Sequence, residues 1–295
     1  MNPAGALGDC TSGQLRENRT LTVVVPVGSI EQHGPHLPLD TDTRIATAVA
    51  AEVAARRYLL APAVYYGASG EHQDFANACL GFMNGVEVAG QMIEAGLVDY
   101  ALIVDGENSG DIVENTLRRL LAPDATSQDF WDNFATLTLG SAAVAMVLGR
   151  ADRSRTSHRV NGSVGLADTD NNRLCIGTSE RMVTDSTKLL KAGVALARRT
   201  WVRAAEELPG WNAAQIDQYI CHQVGKAHLT ALCDALSIPF ARCFPTYMTF
   251  GNVGPAAVPL TLALAEEAGR VRPGDHVALM GIGSGLNVSM MSVTW

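Results

Sequence analysis

Clusters of basic residues are missing from this sequence. Its 295 residues include 22 Lys and Arg against 30 Asp and Glu, which gives a formal net charge of −8. The adjacent basic pairs are few and isolated, at residues 56–57, 118–119 and 198–199. Nucleic acids and anionic membranes both select for basic patches. The charge distribution therefore argues against either of them as a partner.

Long apolar runs are also missing. The best candidate, residues 256–265, is short and is interrupted by Pro259. A membrane-spanning helix needs about 20 apolar residues. No cationic start followed by an apolar core precedes the first motif, so we expect no cleaved secretory signal. These absences predict a protein without a membrane span.

Cysteine is sparse, and its spacing is not that of a metal site. The six cysteines are Cys10, Cys79, Cys175, Cys221, Cys233 and Cys243. None of them forms a CxxC pair, and such irregular spacing in a chain of this length indicates reduced thiols in the cytoplasm. With 47% hydrophobic and 18% charged residues, the chain has the composition of an ordinary globular protein.

What the sequence does contain is a regular alternation of strand and helix patterns. Runs at Leu21–Val27 and Leu59–Tyr66 flank an Ala-rich helical stretch at Asp42–Arg57, which predicts a β-α-β unit. Similar alternation follows, so we expect an α/β architecture throughout. Residues 150–180 contain few apolar residues, which predicts a long connection. Further strands are predicted at Thr136–Leu148 and Ala241–Phe244.

Cys79 is the best candidate nucleophile in the chain. It lies in Asn77-Ala78-Cys79-Leu80-Gly81, a small-residue turn at the start of a predicted helix. The unpaired N–H groups and the dipole of a helix N-terminus stabilise a thiolate. A cysteine between Ala78 and Leu80 is also a common buried apolar residue. The choice between these interpretations depends on its partners.

Two later loops offer such partners. His222 follows Cys221 at a predicted strand end, and Asn252 lies in the glycine-flanked turn Gly251-Asn252-Val253-Gly254 before a predicted helix. Strand-to-helix junctions are where the sites of α/β proteins concentrate. Taken singly, either residue could equally be a satisfied cap or core residue.

Together with the glycine-rich Gly281-Ile282-Gly283-Ser284-Gly285, these residues resemble the Cys-His-Asn centre of the thiolase-fold condensing enzymes. The likeness is to 3-oxoacyl-ACP synthase III and its head-to-head acyl-condensing relatives, from about residue 76 to residue 295. It implies that a thioester acylates Cys79 and that the backbone N–H groups of Cys79 and Ser284 hold the oxyanion. His222 and Asn252 would then bind the carbonyl of a second acyl group.

The same resemblance implies substrates and assembly. It predicts an enzyme that acts on acyl-CoA or acyl-ACP thioesters, needs no cofactor for the condensation and forms a homodimer. In this family the strands before the cysteine supply part of the acyl tunnel and the dimer contacts. In the head-to-head branch they also supply a glutamate that reaches the partner's site. Those strands have no counterpart in this sequence.

A second pattern belongs to a different chemistry. Glu31 and His33 are two residues apart, and Asp42 follows after a Pro-containing loop. One imidazole and two carboxylates that converge suit Zn or Mn. A histidine in a Pro-Gly loop is more often a surface residue or a cap, so the spacing alone leaves both interpretations open.

The longer string Gly28-Ser29-Ile30-Glu31-Gln32-His33-Gly34-Pro35-His36, followed by Ser69-Gly70-Glu71-His72, resembles the creatininase family in its mycofactocin-associated peptidase branch. The resemblance covers about residues 20–75. It implies that Glu31, His33 and Asp42 bind a two-metal centre that activates water. The later ligands of that family have no counterpart, so we expect at most weak Zn or Mn binding here.

The two resemblances meet at Gln73–Asn77, which predicts a fusion-like α/β chain with a thiolase-like layered fold. Its predicted parts are a creatininase-like β-α-β segment, the remainder of a truncated first thiolase-like half, and a carboxy-terminal thiolase-like half, at residues 1–75, 76–150 and 151–295. Nothing in the sequence ensures that the creatininase-like strands replace the missing ones. We therefore expect residues 1–75 to be a loosely attached appendage.

Three functions remain open. The leading one is an acyltransferase that performs a Claisen condensation through Cys79, His222 and Asn252. The second is a metal-dependent amidohydrolase or peptidase of the creatininase type, and the third is an inactive fusion that serves as a scaffold. The presence of all three condensing residues, beside an incomplete set of metal ligands, favours the first.

Overall fold

The computed structural model of the chain describes residues 5–6, 22–28, 41–54, 59–60, 64–65, 78–154, 156, 158–177 and 182–295. Two mixed sheets and the helices that cover them make up most of this part of the chain. No helix among these residues is long and apolar enough to cross a membrane.

The first sheet contains strands from both sides of residue 75. In chain order they are β1 (Gly5–Ala6), β2 (Thr22–Gly28), β3 (Leu59–Leu60), β4 (Val64–Tyr65), β5 (Tyr100–Glu107) and β6 (Ala142–Gly149). Their order across the sheet is β1-β3-β2-β5-β6, and β4 also pairs with β2. The pairs are parallel, except that β6 runs antiparallel to β5.

Strands β2 and β5 join the creatininase-like segment to the condensing-enzyme-like segment. Their parallel register pairs Thr22 with Tyr100 and continues to Pro26 and Val104. The expectation that residues 1–75 form a loose appendage is therefore wrong for the described strands. The physical reason is that β2 is apolar on both faces, and such a strand is stable in the interior of a parallel sheet.

Two helices cover opposite faces of β2, namely α1 (Thr41–Ala54) and α2 (Gly81–Glu94). Valines 23, 25 and 27 share a core cluster with α2, whereas Val24 packs with alanines of α1. This alternation is what a strand buried on both faces requires. A Cβ atom at Gly85 of α2 would come within 2.9 Å of Val27. The helix that follows Cys79 therefore lies directly on the creatininase-like strand.

The later strands form the second sheet and a separate pair. These strands are β7 (Arg159–Ala167), the short strands β8 (Cys175–Gly177) and β9 (Met182–Thr184), β10 (Gln218–Cys221), β11 (His276–Gly283) and β12 (Asn287–Thr294). The order across the sheet is β10-β11-β12-β7, and β8 pairs with β9 separately. Strand β10 is parallel to β11, and the other neighbours are antiparallel.

The remaining helices complete the layers. They are α3 (Gly110–Leu120), α4 (Ser127–Asn133), α5 (Ser186–Glu207), α6 (Lys226–Leu236), α7 (Tyr247–Phe250) and α8 (Ala257–Glu267). Residues of α2, α8 and both sheets form one core cluster. Residues of α5 and α6 form a second cluster with the opposite face of the second sheet. The layers follow one another in the order α1, first sheet, α2 with α8, second sheet, and α5 with α6. This arrangement confirms the predicted layered α/β fold.

Several predicted elements are wrong in detail. The strand predicted from Thr136 begins only at Ala142, after a 3₁₀ turn at residues 136–138, and residues 240–242 form a 3₁₀ turn instead of a strand. The connection predicted at residues 150–180 contains β7. Strand β7 lies at the edge of the described sheet, where hydrogen bonds to β12 hold it and few of its side chains are buried. Its sequence, Arg-Val-Asn-Gly-Ser-Val-Gly-Leu-Ala, therefore lacks a clear apolar pattern. The domain divisions at residues 75 and 150 stay predictions.

Candidate active site

Cys79 lies in a 3₁₀ turn, Ala78–Leu80, that ends where α2 begins. Its side chain is half-buried and is not part of a disulfide. Cys79 lies two residues before Gly81, the first residue of this 14-residue helix, so its thiol is at the N-terminal end of the helix, as predicted. The partial positive charge of such an end stabilises a thiolate.

Gly281 of β11 allows the Cys79 turn to approach the second sheet. A Cβ atom at Gly281 would overlap the side chain of Leu80 and would lie 2.6 Å from the sulfur of Met83. On the other side, a Cβ atom at Gly81 would lie 3.6 Å from Val27 and 3.8 Å from Pro255. The turn is therefore wedged between the two sheets and the loop that carries Asn252.

His222 is held at the end of β10. Its backbone N–H donates to the carbonyl oxygen of Met280 at 2.7 Å, which continues the pairing of β10 with β11. Met280 is the residue before Gly281, against which the Cys79 turn packs. The neighbouring Gln223 is buried, and its Nε2 donates to the carbonyl of Cys221 at 3.1 Å. Its Oε1 accepts from the backbone N–H of Thr246 at 3.3 Å, so the loop after β10 is fixed at both ends.

The imidazole of His222 is buried, with 3% of its surface exposed. Burial, together with the nearby His228, lowers the pKa of His222 to about 3. Burial also lowers the pKa of His228 to about 4. Both rings are therefore neutral at physiological pH, and each carries one N–H donor and one acceptor nitrogen.

Asn252 is held by backbone pairing with residues 138–140. Its N–H donates to the carbonyl of Thr138 at 2.8 Å, and its own carbonyl accepts from the N–H of Gly140, also at 2.8 Å. The side-chain Oδ1 accepts from the N–H of Gly254 at 3.1 Å. Because this bond engages the oxygen, the Nδ2 group is left as the donor of the side chain.

Glycine is required on both sides of this pairing. A Cβ atom at Gly140 would overlap the carbonyl oxygen of Phe250. Gly251 and Gly254 have φ values of 69° and 55°, in the left-handed region that favours glycine. The Gly-Asn-Val-Gly pattern that the sequence singled out therefore has a steric origin in this close approach.

Ser284 lies in the turn between β11 and β12. The next residue but one, Leu286, exchanges two backbone hydrogen bonds with Asp168, at 2.8 and 3.3 Å. Gly285 has a φ of 120°. The predicted oxyanion residue therefore lies on a turn that is tied to the end of β7.

The structure brings the segments of the three predicted residues together. The turn that contains Cys79 packs against β11 and against the 3₁₀ turn Gly254–Ala256, which begins two residues after Asn252. Strand β11 pairs in turn with β10, which ends at Cys221, the residue before His222. The roles of Cys79, His222, Asn252 and Ser284 remain predictions, and they now rest on one compact region.

His228 is the residue of this region that sequence reasoning missed as a partner of His222. It lies on α6, whose apolar stripe of Leu229, Leu232 and Leu236 faces the core. Position 228 adjoins Leu232 one helical turn away, so the period of the stripe was the signal that could have placed this histidine near the core.

Known families match the chain in three stretches. Residues 8–83 match the creatinine amidohydrolase family, called creatininase. Residues 73–165 match 3-oxoacyl-[acyl-carrier-protein] synthase III, and residues 207–295 match its C-terminal part. The first two stretches overlap around Cys79, near the predicted join.

Known proteins resemble the part of the chain that carries the condensing-enzyme motifs. Acyl-CoA:acyl-CoA alkyltransferase of Xanthomonas campestris is 44% identical over 222 residues, which is 75% of this chain and 65% of that protein. The crystal structure of X. campestris OleA with bound lauric acid and lauroyl-CoA is 36% identical. It superposes with a TM-score of 0.78 over 93% of this chain and 75% of that chain. The chain belongs to the thiolase-fold condensing enzymes of the 3-oxoacyl-ACP synthase III type.

This chain spans about 65% of the length of the first curated relative. Its structural match nevertheless extends into the creatininase-like part, because residues 76–295 alone are too few to make up 93% of the chain. Mycofactocin precursor peptide peptidase of Mycobacterium tuberculosis is 58% identical over 83 residues, which is 24% of this chain and 33% of that protein. The predicted two-part resemblance is confirmed.

The predicted metal ligands fall mainly outside the described residues. Glu31 and His33 lie there, and Asp42 lies at the second position of α1. Among the residues that the structure describes, no group of three His, Cys, Asp or Glu side chains is arranged to hold a metal ion. Clustering of Glu31, His33 and Asp42 therefore stays a prediction.

Proposed function

We propose that this chain is an acyltransferase that joins two fatty acyl thioesters by a Claisen condensation at Cys79, His222 and Asn252. The observation that supports the proposal is the packing of the Cys79 turn against both β11 and the loop after Asn252. Each of these segments is fixed by backbone hydrogen bonds and close glycine contacts, so the side chains are carried on rigid supports.

In the first half-reaction the thiolate of Cys79 attacks the carbonyl carbon of an acyl thioester. The N–H groups of Cys79 and Ser284 hold the oxyanion of the tetrahedral intermediate, a contribution worth about 100- to 1,000-fold in rate for one donor. The bond between the carbonyl carbon and the leaving sulfur then breaks. The carrier thiol departs with a proton, and the acyl group remains on Cys79.

In the second half-reaction His222 and Asn252 donate hydrogen bonds to the thioester oxygen of the second substrate. Its α-carbon loses CO₂ when the second substrate is a malonyl-type thioester, or a proton to a water molecule when it is a fatty acyl thioester, and the resulting carbanion attacks the acyl-Cys79 carbonyl. A carbon–carbon bond forms while the bond to the Cys79 sulfur breaks. Neutral donors suit this step because they stabilise negative charge on oxygen without protonating the carbanion, and burial keeps His222 neutral.

Product analysis tests this proposal and identifies the second substrate. The full chain is incubated with lauroyl-CoA alone, with lauroyl-CoA and malonyl-CoA, or with the matching acyl-ACP thioesters, and products are identified by mass spectrometry. We expect a β-keto product in one arm, and its loss in His222→Ala and Asn252→Ala. His158→Ala is the matched control, because that imidazole stacks on Trp295 at 4.0 Å. Full product formation by His222→Ala and Asn252→Ala would overturn the proposal.

We also propose that the chain forms a homodimer through β6. This strand lies at the end of the described first sheet, and its side chains are apolar, with Val147 66% exposed. Apolar edge strands favour pairing with another strand. We expect Val147→Lys to shift the chain from dimer to monomer in light scattering. The control Val202→Lys changes a valine that is 59% exposed on α5 and should leave the dimer intact.

The thiols support a cytoplasmic location for this enzyme. None of the described cysteines is in a disulfide, which is the usual state in a reducing compartment. They are Cys79, Cys175, Cys221, Cys233 and Cys243.

For the condensation we propose no cofactor beyond the thioester itself. Two equivalents of bound Zn or Mn per chain, together with amide hydrolysis, would instead favour the creatininase-type activity.

A further inference from the structure

His228 and His222 line one small cavity in the carboxy-terminal half. The cavity has a volume of about 20 Å³ and is otherwise lined by residues of α5, α6, β11 and β12. A cavity of at least about 10–15 Å³ is large enough for one water molecule. The cavity therefore has room for a single water beside the buried imidazole of His222 and the partly buried imidazole of His228.

The buried Nδ1 atoms of both rings need hydrogen-bond partners. Among the described residues, neither the Nδ1 of His222 nor that of His228 has one. A buried polar atom without a partner is costly, so such atoms are almost always paired with protein or with ordered water. Met280, Ile282 and Leu232 contribute apolar surface to the cavity and offer no side-chain hydrogen bond.

This inference rests on the proposed condensation, in which His222 donates a hydrogen bond to a thioester oxygen. Which of its two ring nitrogens carries the proton decides whether His222 can do so. A neutral imidazole carries its proton on one nitrogen, and the hydrogen bond at the other nitrogen selects which one. If Nε2–H is to donate to a thioester oxygen, Nδ1 must be an acceptor and needs a donor nearby. Water is such a donor and can bond to a second nitrogen as well.

We propose that His228 is a positioning residue that holds a water molecule in this cavity, and that this water donates to Nδ1 of His222 and thereby keeps His222 in the Nε2–H tautomer. The second hydrogen bond of the water is made with Nδ1 of His228. His228 thus acts on the substrate only through His222.

The ring nitrogens report this arrangement directly. In the full chain labelled with ¹⁵N-histidine and kept free of substrate, two-dimensional NMR should show His222 as the Nε2–H tautomer. His228→Leu, which cannot hold the water, should convert His222 to a mixture of tautomers. His228→Gln keeps a polar group at the site and should restore the wild-type spectrum. An Nδ1–H tautomer in the wild type, or an unchanged His222 spectrum in His228→Leu, would overturn the proposal.

Kinetics separate positioning from general damage. Because acylation of Cys79 does not use His222 in the proposed mechanism, His228→Leu should acylate within about twofold of the wild type. Its condensation kcat should fall about 10-fold or more, as expected when a buried hydrogen bond is lost, and His228→Gln should recover most of it. An equal loss in both half-reactions would contradict a positioning role. Failure of the proposed function would instead appear as absent condensation in the wild type, whatever the NMR result.

Discussion

At the scale of single residues, the environment of each thiol predicts its reactivity. Cys233 and Cys243 are buried with their sulfur atoms 3.6 Å apart. A hydrogen bond with Cys243 and burial raise the pKa of Cys233, and a hydrogen bond with Cys221 and burial raise that of Cys243. Cys79 is half-buried at a helix N-terminus. We expect limited iodoacetamide to label Cys79 first, read by peptide mass spectrometry; faster labelling of Cys221 or Cys233 would remove its assignment as the nucleophile.

The lowered pKa values of His222 and His228 predict how stability depends on pH. The pKa values of His222 and His228 are lowered from 6.5 to about 3 and about 4, so below about pH 6.5 the unfolded chain binds protons that the folded chain does not. Their contribution to the unfolding free energy is therefore present above that pH and is lost as the pH falls. Between about pH 7.5 and about pH 5 we expect a loss of about 2 kcal/mol for each histidine.

Urea unfolding of the wild type and of the His222→Gln, His228→Gln double variant measures this contribution. The double variant should lose less stability than the wild type over the same pH interval. His158→Gln serves as the control, since it also removes one histidine. Parallel pH profiles for the wild type and the double variant would contradict the assignment of both imidazoles as neutral in the folded chain.

At the scale of elements, the pairing of residues 138–140 with the Asn252 loop is the feature that a single substitution would disturb most directly. A Cβ atom at Gly140 would meet the backbone of Phe250, which cannot move without shifting Asn252. We expect Gly140→Ala to cost about 1–3 kcal/mol in urea unfolding and to abolish condensation while Cys79 still accepts an acyl group. Gly90→Ala, on α2 with open space around it, is the matched control and should retain both. Normal condensation by Gly140→Ala would show that the loop position is unimportant.

The elements also show what the sequence could and could not predict. Strand β2 and helix α6 were predictable because their apolar residues follow the periods of a buried strand and of an amphipathic helix. Cys79, His222 and Asn252 were found through their places at predicted strand-to-helix junctions and through the resemblance to a known family, both of which can be read from one sequence. Strand β7 and the neighbour relation of His222 and His228 depend on contacts between distant segments, and a single sequence carries no local signal for these. The pairing of β2 with β5 was not expected for the same reason.

At the scale of the whole molecule, the shared first sheet predicts resistance to proteolysis. Valines 23, 25 and 27 of β2 lie in the same core cluster as α2 and the second sheet. Protease should therefore leave β2 attached to the rest of the chain under conditions that preserve the native fold. Limited trypsin digestion with mass analysis is the measurement, and Val25→Asp, which places a charge in that core, should release the protection. A stable wild-type fragment that begins near residue 77 would mean that the strands before it are a passive appendage.

The central claim is that this composite chain still performs acyl transfer at Cys79. Intact-protein mass spectrometry after incubation with lauroyl-CoA tests it most directly. We predict a mass increase of one lauroyl group per chain in the wild type and in Cys175→Ala, which removes another half-buried thiol, and no increase in Cys79→Ala. Absence of the adduct in folded wild-type protein, or its persistence in Cys79→Ala, would contradict the account.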